Sequence, residues 1–138
     1  MERSLVLIKP DAMQRGLAGV IIGRIQGEGL KLIALKMLHM DKALAERHYA
    51  VHTGKPFFKD LLEYMTSTPI VAAAFEGNGA VERIRKLMGT TDPAKAAPGT
   101  IRKDYGLDLQ RNSTHASDSP ENGGKEIALF FTKKEIFK

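Results

Sequence analysis

The chain has 138 residues, a net charge of +5 and no cysteine, and 43% of its residues are hydrophobic. The length predicts one domain over residues 1–138, and the lack of cysteine excludes disulfides, thiol catalysis and cysteine-ligated metal centres. Positive charge favours anionic partners, and no apolar run approaches the ~20 residues of a spanning helix, which predicts a cytoplasmic protein with no membrane partner.

The first half of the chain alternates strand-like and helix-like segments. Residues 4–9 form an apolar run that ends at Lys9 and Pro10, which predicts a buried strand. The segments that follow are predicted from apolar periodicity and capping residues. They are a helix at 17–29, a strand at 30–40, a helix that starts at Asp41 and a short helix at 56–65.

The next part of the chain combines a regular and an irregular stretch. Residues 69–76 predict a strand, and residues 77–89 predict a helix that Asn78 caps and Gly89 ends. Residues 90–118 have no sustained period, and a loop of that length in a compact domain is usually functional or disordered.

The C-terminal part begins with a capping signal. Ser119 and Pro120 predict the start of a short helix, and residues 127–132 predict a last buried strand. The resulting order of strands and helices leaves α/β and α+β folds open.

His115 lies in the irregular stretch, among small polar residues, where packing gives no reason for a histidine. A nucleophilic histidine needs one free ring nitrogen and an acceptor that holds the other. Three carboxylates close in sequence could orient the ring: Asp118, Glu121 and Glu126. On residue types alone, a nucleophile and a hydrogen-bonded loop residue are equally open readings.

Possible nucleotide contacts occur around this stretch. Arg85, Thr91 and Arg102 offer guanidinium and hydroxyl groups of the kind that bind phosphates. Phe57 could stack on a base or pack in the core beside Phe58. Neither a P-loop nor a Rossmann glycine motif is present.

Two further histidines have a spacing that suits metal ligands. His48 and His52 lie four residues apart on a predicted helix, but no glutamate follows His48 and no third ligand is evident. We therefore interpret both as surface or partly packed histidines.

Several stretches together resemble one family. They are IKPDAMQRG (8–16), HY (48–49), KPFF (55–58), RKLMGTTDPAKAAPGTIRKDYG (85–106), RNSTHASDS (111–119) and KEIALFF (125–131). Their order and spacing, and the motif N-x-x-H-x-S-D, resemble the nucleoside diphosphate kinases from about Ser4 to Phe131. The chain looks like a short, bacterial-type member.

The resemblance implies a fold and a reaction. The fold is α/β (α+β), a ferredoxin-like sandwich with a four-stranded antiparallel sheet covered by helices. The reaction is a Mg²⁺-dependent ping-pong transfer, in which the γ-phosphate of ATP or another nucleoside triphosphate passes to a histidine and then to a nucleoside diphosphate. Mg²⁺ is expected to bind mainly through substrate phosphates, and base specificity is expected to be broad because stacking does not read base edges.

By position, the resemblance also gives roles to individual residues. His115 is the phosphorylated residue, Glu126 orients its ring with support from Ser117, and Tyr49 and Lys9 complete the catalytic set. The nucleotide-binding set has phosphate contacts at Lys9, Arg85, Thr91 and Arg102, ribose contacts at Lys9 and Asn112, and base contacts at Phe57 and Leu109.

Some positions depart from the family pattern. Ala116 and Lys103 stand where glycine is common, and alanine would be strained at position 116 if its φ were positive. Gly123 and Gly124 replace residues that favour helix, at a cost of about 1 kcal/mol each relative to alanine if both are helical.

The resemblance further implies a homo-oligomer, predicted as a hexamer with a tetramer as the alternative, with contacts around Pro98.

An RNA-binding module is a rival reading, but it needs aromatic residues on its central strands, and residues 4–9 and 30–40 have none. A regulator without catalysis is disfavoured because every catalytic position is filled. Nucleic-acid binding is not required by this prediction.

Overall fold

The computed structural model describes residues 1–137, which form four strands and seven α-helices. Three short 3₁₀ helices lie between or after them, at Ala50–His52, Pro93–Lys95 and Lys133–Glu135. In chain order the strands and α-helices are β1 (Glu2–Ile8), α1 (Pro10–Gln14), α2 (Ala18–Gly27), β2 (Lys31–Leu38), α3 (Lys42–His48), α4 (Phe58–Met65), β3 (Ile70–Gly77), α5 (Ala80–Met88), α6 (Ile101–Tyr105), β4 (Thr114–Ala116) and α7 (Pro120–Phe130).

The strands form one sheet in the order β2-β3-β1-β4, and every neighbouring pair is antiparallel. β1 is central, with Leu7 opposite Ala72 of β3 on one side and His115 of β4 on the other. This is the four-stranded antiparallel sheet that the resemblance implied. None of the helices within residues 1–137 is both long and apolar enough to cross a membrane.

The sheet is buried on both faces, which explains the continuous apolar run of β1. Leu5 and Leu7 pack into a core cluster on one face with α3, α4 and α7, and Val6 and Ile8 pack into a second cluster with α2 and α5 on the other. All four side chains are fully buried. Each burial contributes about 1.5–3 kcal/mol, so β1 is anchored from both sides.

The prediction of a last strand at 127–132 is wrong, because most of that segment belongs to α7. Ser119 caps this helix by accepting a hydrogen bond from the Asn122 N–H. Ile127, Phe130 and Phe131 then follow at helical spacing and pack into one core cluster. The apolar spacing of this short segment is compatible with both a strand and a helix, and only its packing in the folded chain distinguishes the two.

The fourth strand instead lies inside the stretch 90–118 that was predicted to be a loop. That stretch also contains α6, whose first turn is capped by the Thr100 side chain. The cap predicted for α5 is corrected as well, because its N-cap residue is Gly79, with φ 63°, and not Asn78. Glycine suits this left-handed position.

The two adjacent glycines of α7 have different surroundings. A Cβ on Gly123 would lie well inside van der Waals contact with the Arg3 carbonyl oxygen, whereas a Cβ on Gly124 would meet no atom within 4 Å. Gly123 therefore allows α7 to approach the backbone of β1, and Gly124 has no such role.

Alanine at these two positions should change stability in opposite directions. We expect Gly124→Ala to raise the free energy of unfolding by about 1 kcal/mol, the difference in helix propensity between glycine and alanine. We expect Gly123→Ala to lower it, because the new methyl group forces α7 away from Arg3. Urea unfolding at one protein concentration measures both, and shifts of the same sign would contradict this account.

Candidate active site

His115 is the middle residue of β4, and its side chain is 23% exposed. Its Nε2 lies 3.1 Å from Oε2 of Glu126, which projects from α7. Nδ1 makes no hydrogen bond to any residue from 1 to 137. One ring nitrogen is therefore held by a carboxylate and the other is free, as a nucleophilic histidine requires.

Glu126 is itself fixed by Ser117. The Ser117 hydroxyl donates to Oε1 of Glu126 at 2.5 Å and accepts from the Leu5 N–H at 2.9 Å. Burial raises the pKa of the Glu126 carboxyl, but hydrogen bonds and charge from His115 and Ser117 outweigh burial and lower it below its ordinary value. An ionised carboxylate only accepts, so Nε2 of His115 carries the proton of this hydrogen bond and Nδ1 is the ring nitrogen left for attack.

The other two candidate carboxylates point elsewhere. Asp118 is exposed and accepts a hydrogen bond from Asn122 at 2.6 Å, and Glu121 pairs with Lys125 at 3.3 Å on the surface of α7. Of the three carboxylates close in sequence, Glu126 is the one that contacts His115.

His48 is a site residue that the sequence analysis missed, because we interpreted it as a surface or partly packed histidine. Its ring lies edge-on to that of His115 with centroids 4.7 Å apart, and its Nδ1 is 3.9 Å from Oε2 of Glu126. Both ring nitrogens are buried without a hydrogen-bond partner among residues 1–137. Burial, followed by the charge of His115, lowers the pKa of His48 to about 3, so the ring is neutral.

A sequence signal for His48 did exist. Ala45, His48 and Tyr49 lie at positions i, i+3 and i+4 of α3, and all three are buried. That spacing marks the inner face of a helix and places His48 toward the core.

His48, His115 and Glu126 also offer three metal-ligand atoms within 4.8 Å of one another, and they form the one such group within residues 1–137. His52 is not part of it. Two of the three residues offer ring nitrogens and one offers a carboxylate oxygen, whereas magnesium prefers oxygen ligands.

Tyr49 is buried behind the site, and its hydroxyl has no hydrogen-bond partner among residues 1–137. Burial and the charge of Glu126 raise its pKa. Its ring is 6.4 Å from that of His52, which in turn is 5.2 Å from the ring of Phe57. A row of rings thus leads outward to Phe57.

Phe57 is 47% exposed and is not part of either core cluster, whereas Phe58 packs partly against the core. Leu109 is 64% exposed. Both predicted base-contact residues therefore present apolar side chains to solvent. The alternative reading of Phe57 as half of a core pair is wrong.

Lys9, Asn112 and Thr91 form a hydrogen-bonded chain. The Lys9 ammonium donates to Oδ1 of Asn112 at 2.9 Å, and Nδ2 of Asn112 donates to the Thr91 carbonyl at 3.0 Å. Burial, followed by the positive charge of Arg102, lowers the pKa of Lys9 to about 8. The ammonium is still mostly charged at neutral pH.

Arg102 and Arg85 line an open cavity of about 640 Å³ beside Ala116. The Arg102 guanidinium donates to the carbonyls of Gly89 and Thr114, each at 2.9 Å. Burial and the charge of Arg85 lower the pKa of Arg102 to about 10. Two guanidinium groups are thus held close together at one cavity, which favours polyanions.

The strain considered for Ala116 does not occur. Ala116 lies in β4, and within residues 1–137 the one non-glycine residue with positive φ is Ser113, at 72°.

Comparison with known proteins identifies the family. The sequence matches the family described as nucleoside diphosphate kinase over residues 2–136. It is 57% identical to a nucleoside diphosphate kinase of Dehalococcoides mccartyi over 136 residues, which are 99% of this chain and 96% of that protein. A nucleoside diphosphate kinase of Archaeoglobus fulgidus is 54% identical over 136 residues, 99% of this chain and 90% of that protein.

Solved structures agree. The nucleoside diphosphate kinase of Aquifex aeolicus superposes with a TM-score of 0.95 at 44% identity, covering 98% of both chains. That of Halobacterium salinarum, solved in complex with CDP, gives 0.96 at 47% identity and covers 99% of this chain and 91% of its own. These likenesses confirm the predicted fold. The chain therefore belongs to the nucleoside diphosphate kinase family, whose enzymes transfer the terminal phosphate of a nucleoside triphosphate to a nucleoside diphosphate through a phosphohistidine.

Proposed function

We propose that this enzyme carries the transferred phosphate on Nδ1 of His115. The observation that supports this most directly is the position of Glu126, which binds Nε2 of His115 at 3.1 Å and the Ser117 hydroxyl at 2.5 Å. Nδ1 attacks the γ-phosphorus, the bond from that phosphorus to the bridging oxygen breaks, and the nucleoside diphosphate leaves. A terminal oxygen of a second diphosphate then attacks the same phosphorus, and the phosphorus–nitrogen bond breaks.

Phosphorylation of Nδ1 makes the ring of His115 cationic, and the Glu126 carboxylate is placed to stabilise that charge. This interaction grows during the reaction, so it lowers the barrier and not merely the energy of the bound substrate. His48 lies beside both groups and stays neutral, so it adds no positive charge to compete with the cationic ring.

The nucleotide is proposed to lie across the remaining residues. Arg85, Arg102, Thr91 and Lys9 contact the phosphates, Lys9 and Asn112 contact the ribose, and Tyr49 packs behind the site. Phe57 and Leu109 contact the two faces of the base, so base specificity is broad. The CDP in the Halobacterium salinarum relative supports a nucleotide site of this kind.

We further propose that Mg²⁺ binds through the phosphates and neutralises their charge, and that the chain acts in the cytoplasm as one domain.

A homo-oligomer, a hexamer with a tetramer as the alternative, is supported by the edge strand β2. Leu35 and Met37 on this strand and Val20 on α2 expose apolar side chains, which a subunit contact would cover. Native mass spectrometry separates six copies from four, and a monomer would contradict the proposal.

The phosphocarrier role predicts a specific labelled product. With γ-labelled ATP and no acceptor, the wild-type enzyme should retain acid-labile, base-stable label, and added GDP should remove it as labelled GTP. His115→Ala should retain no label, and the matched control His39→Ala should label like wild type, because His39 is exposed and its Nε2 contacts the Thr66 carbonyl.

Phosphorus NMR of the phosphoenzyme then identifies the ring nitrogen. The expected product is phosphate on Nδ1. Label in His115→Ala, or phosphate on Nε2, would overturn the proposed mechanism.

Removal of the stacking ring should weaken binding without changing base preference. We expect Phe57→Ala to raise KM for GDP and CDP by about 5-fold or more, as base stacking contributes ~1–3 kcal/mol. Phe57→Tyr keeps the ring and should stay near wild type. Steady-state kinetics with both acceptors measures this, and a loss confined to one base would contradict broad specificity.

Burial of His48 predicts how stability depends on pH. Its pKa is about 3 in the folded chain against an ordinary value of 6.5, so between these values the unfolded chain binds a proton that the folded chain does not. The free energy of unfolding should therefore fall as pH is lowered from about 6.5, with a slope of up to ~1.4 kcal/mol per pH unit from this residue. Above pH 6.5 both states are neutral and the contribution vanishes.

Urea unfolding across this pH range tests the prediction. His48→Phe keeps the ring shape and should flatten the slope, whereas His39→Asn should keep the wild-type slope. Identical slopes in wild type and His48→Phe would show that His48 is not the source.

A further inference from the structure

Ser113 has a backbone conformation that needs an explanation. Its φ of 72° is the one positive value at a non-glycine residue within residues 1–137, and the residue is fully buried. A residue with a Cβ adopts this left-handed conformation only when its surroundings hold it there. Ser113 comes two positions before His115, so its backbone sets the direction in which the chain enters β4.

Two hydrogen bonds hold the backbone of Ser113. Its N–H donates to Oδ2 of Asp11 at 3.0 Å, and its carbonyl accepts from the Lys9 N–H at 2.9 Å. Both partners come from the end of β1 and the start of α1. The left-handed residue is thus fixed from each side to the segment in which β1 ends and α1 begins.

Asp11 is fixed in turn by Tyr64 of α4. The Tyr64 hydroxyl donates to Oδ1 of Asp11 and accepts from the Asp11 N–H at 2.9 Å. Asp11 is 4% exposed, and each of its carboxylate oxygens has one donor, Tyr64 for Oδ1 and Ser113 for Oδ2. Its carboxylate is therefore committed to holding Ser113 and is not directed at a nucleotide.

We propose that Asp11 and Tyr64 are positioning residues for His115. They hold Ser113 in its left-handed conformation and thereby aim the His115 ring at Glu126. β4 has three residues and pairs with β1 alone at Ile8, Leu7 and Val6, so the segment before it determines the ring direction as much as the strand does. The catalytic part of this inference rests on the proposed role of His115, and neither Asp11 nor Tyr64 touches the reacting nitrogen.

The rate of phosphoenzyme formation tests the proposal. In rapid-quench experiments with ATP and no acceptor, Tyr64→Phe should form phosphoenzyme about 10-fold more slowly at saturating ATP. The ATP concentration that gives half the maximal rate should change less than about 2-fold, because orientation and not binding is lost. Tyr105→Phe is the matched control, since this tyrosine is also half-buried and lies in α6, and it should react at the wild-type rate. A wild-type rate in Tyr64→Phe would overturn the proposal.

Rescue separates positioning from a general loss of stability. Glycine adopts positive φ without a Cβ penalty, so Tyr64→Phe with Ser113→Gly should recover most of the lost rate. Tyr64→Phe with Ser113→Ala keeps the penalty and should stay slow. Equal rates in the two double variants would show that Tyr64 does not act through the backbone of Ser113.

A readout without turnover distinguishes failure of this inference from failure of the phosphocarrier proposal. Nitrogen-15 NMR of the unphosphorylated enzyme reports the proton on Nε2 of His115. We expect that signal to shift in Tyr64→Phe and to return with Ser113→Gly. If His115→Ala still forms phosphoenzyme, the proposed function fails, while the His115 ring signal still reports whether Tyr64 orients the ring. An unchanged ring signal in Tyr64→Phe would overturn the positioning role itself.

Discussion

The pairing of β4 with β1 fixes His115 against the best-anchored strand of the sheet. Beyond the three paired residues, the Lys9 N–H donates to the Ser113 carbonyl at 2.9 Å at one end, and the Ser117 N–H donates to the Leu5 carbonyl at 3.1 Å at the other. The side chains of β1 are buried on both faces of the sheet, so this strand cannot shift without disrupting both core clusters. The position of His115 therefore depends on the packing of both core clusters, which extend well beyond the site.

The charge state of the site follows from the same burial. Glu126 keeps its negative charge despite burial because Ser117 and His115 both hydrogen-bond to it, whereas His48 has no such partner among residues 1–137 and loses its proton. The Glu126 carboxylate thus faces two rings. The ring of His115 becomes cationic in the proposed reaction, and the ring of His48 stays neutral. A charged His48 would pair with Glu126 and weaken its hold on His115.

The sequence indicated candidate residues for the site more readily than it indicated how those residues are arranged. The link between His115 and Glu126 came from family resemblance, because 127–132 was read as a strand and Glu126 was therefore not placed on a helix facing β4. His48 was missed because its spacing to His52 suggested only a metal site, and without a third ligand both were interpreted as surface or partly packed histidines. Asp11 was given no role, since its partners at Ser113 and Tyr64 are more than 50 residues away. Contacts at that range depend on sheet order, which local periodicity does not encode.

The cationic residues of the site are Arg85, Arg102 and Lys9, and their charges affect one another. Arg85 lowers the pKa of Arg102, and Arg102 lowers that of Lys9, in both cases after the larger effect of burial. The Arg102 guanidinium is held by the carbonyls of Gly89 and Thr114, and the Lys9 ammonium is held by Oδ1 of Asn112. These neutral acceptors fix both groups without neutralising their charge. The free site therefore keeps part of the repulsion among these cations, although the charges of Asp11 and Asp108 offset some of it at Lys9. If phosphate groups bind here as proposed, they relieve that repulsion. Because the cations are already in place in the free site, the cost of bringing them together does not recur in each reaction cycle.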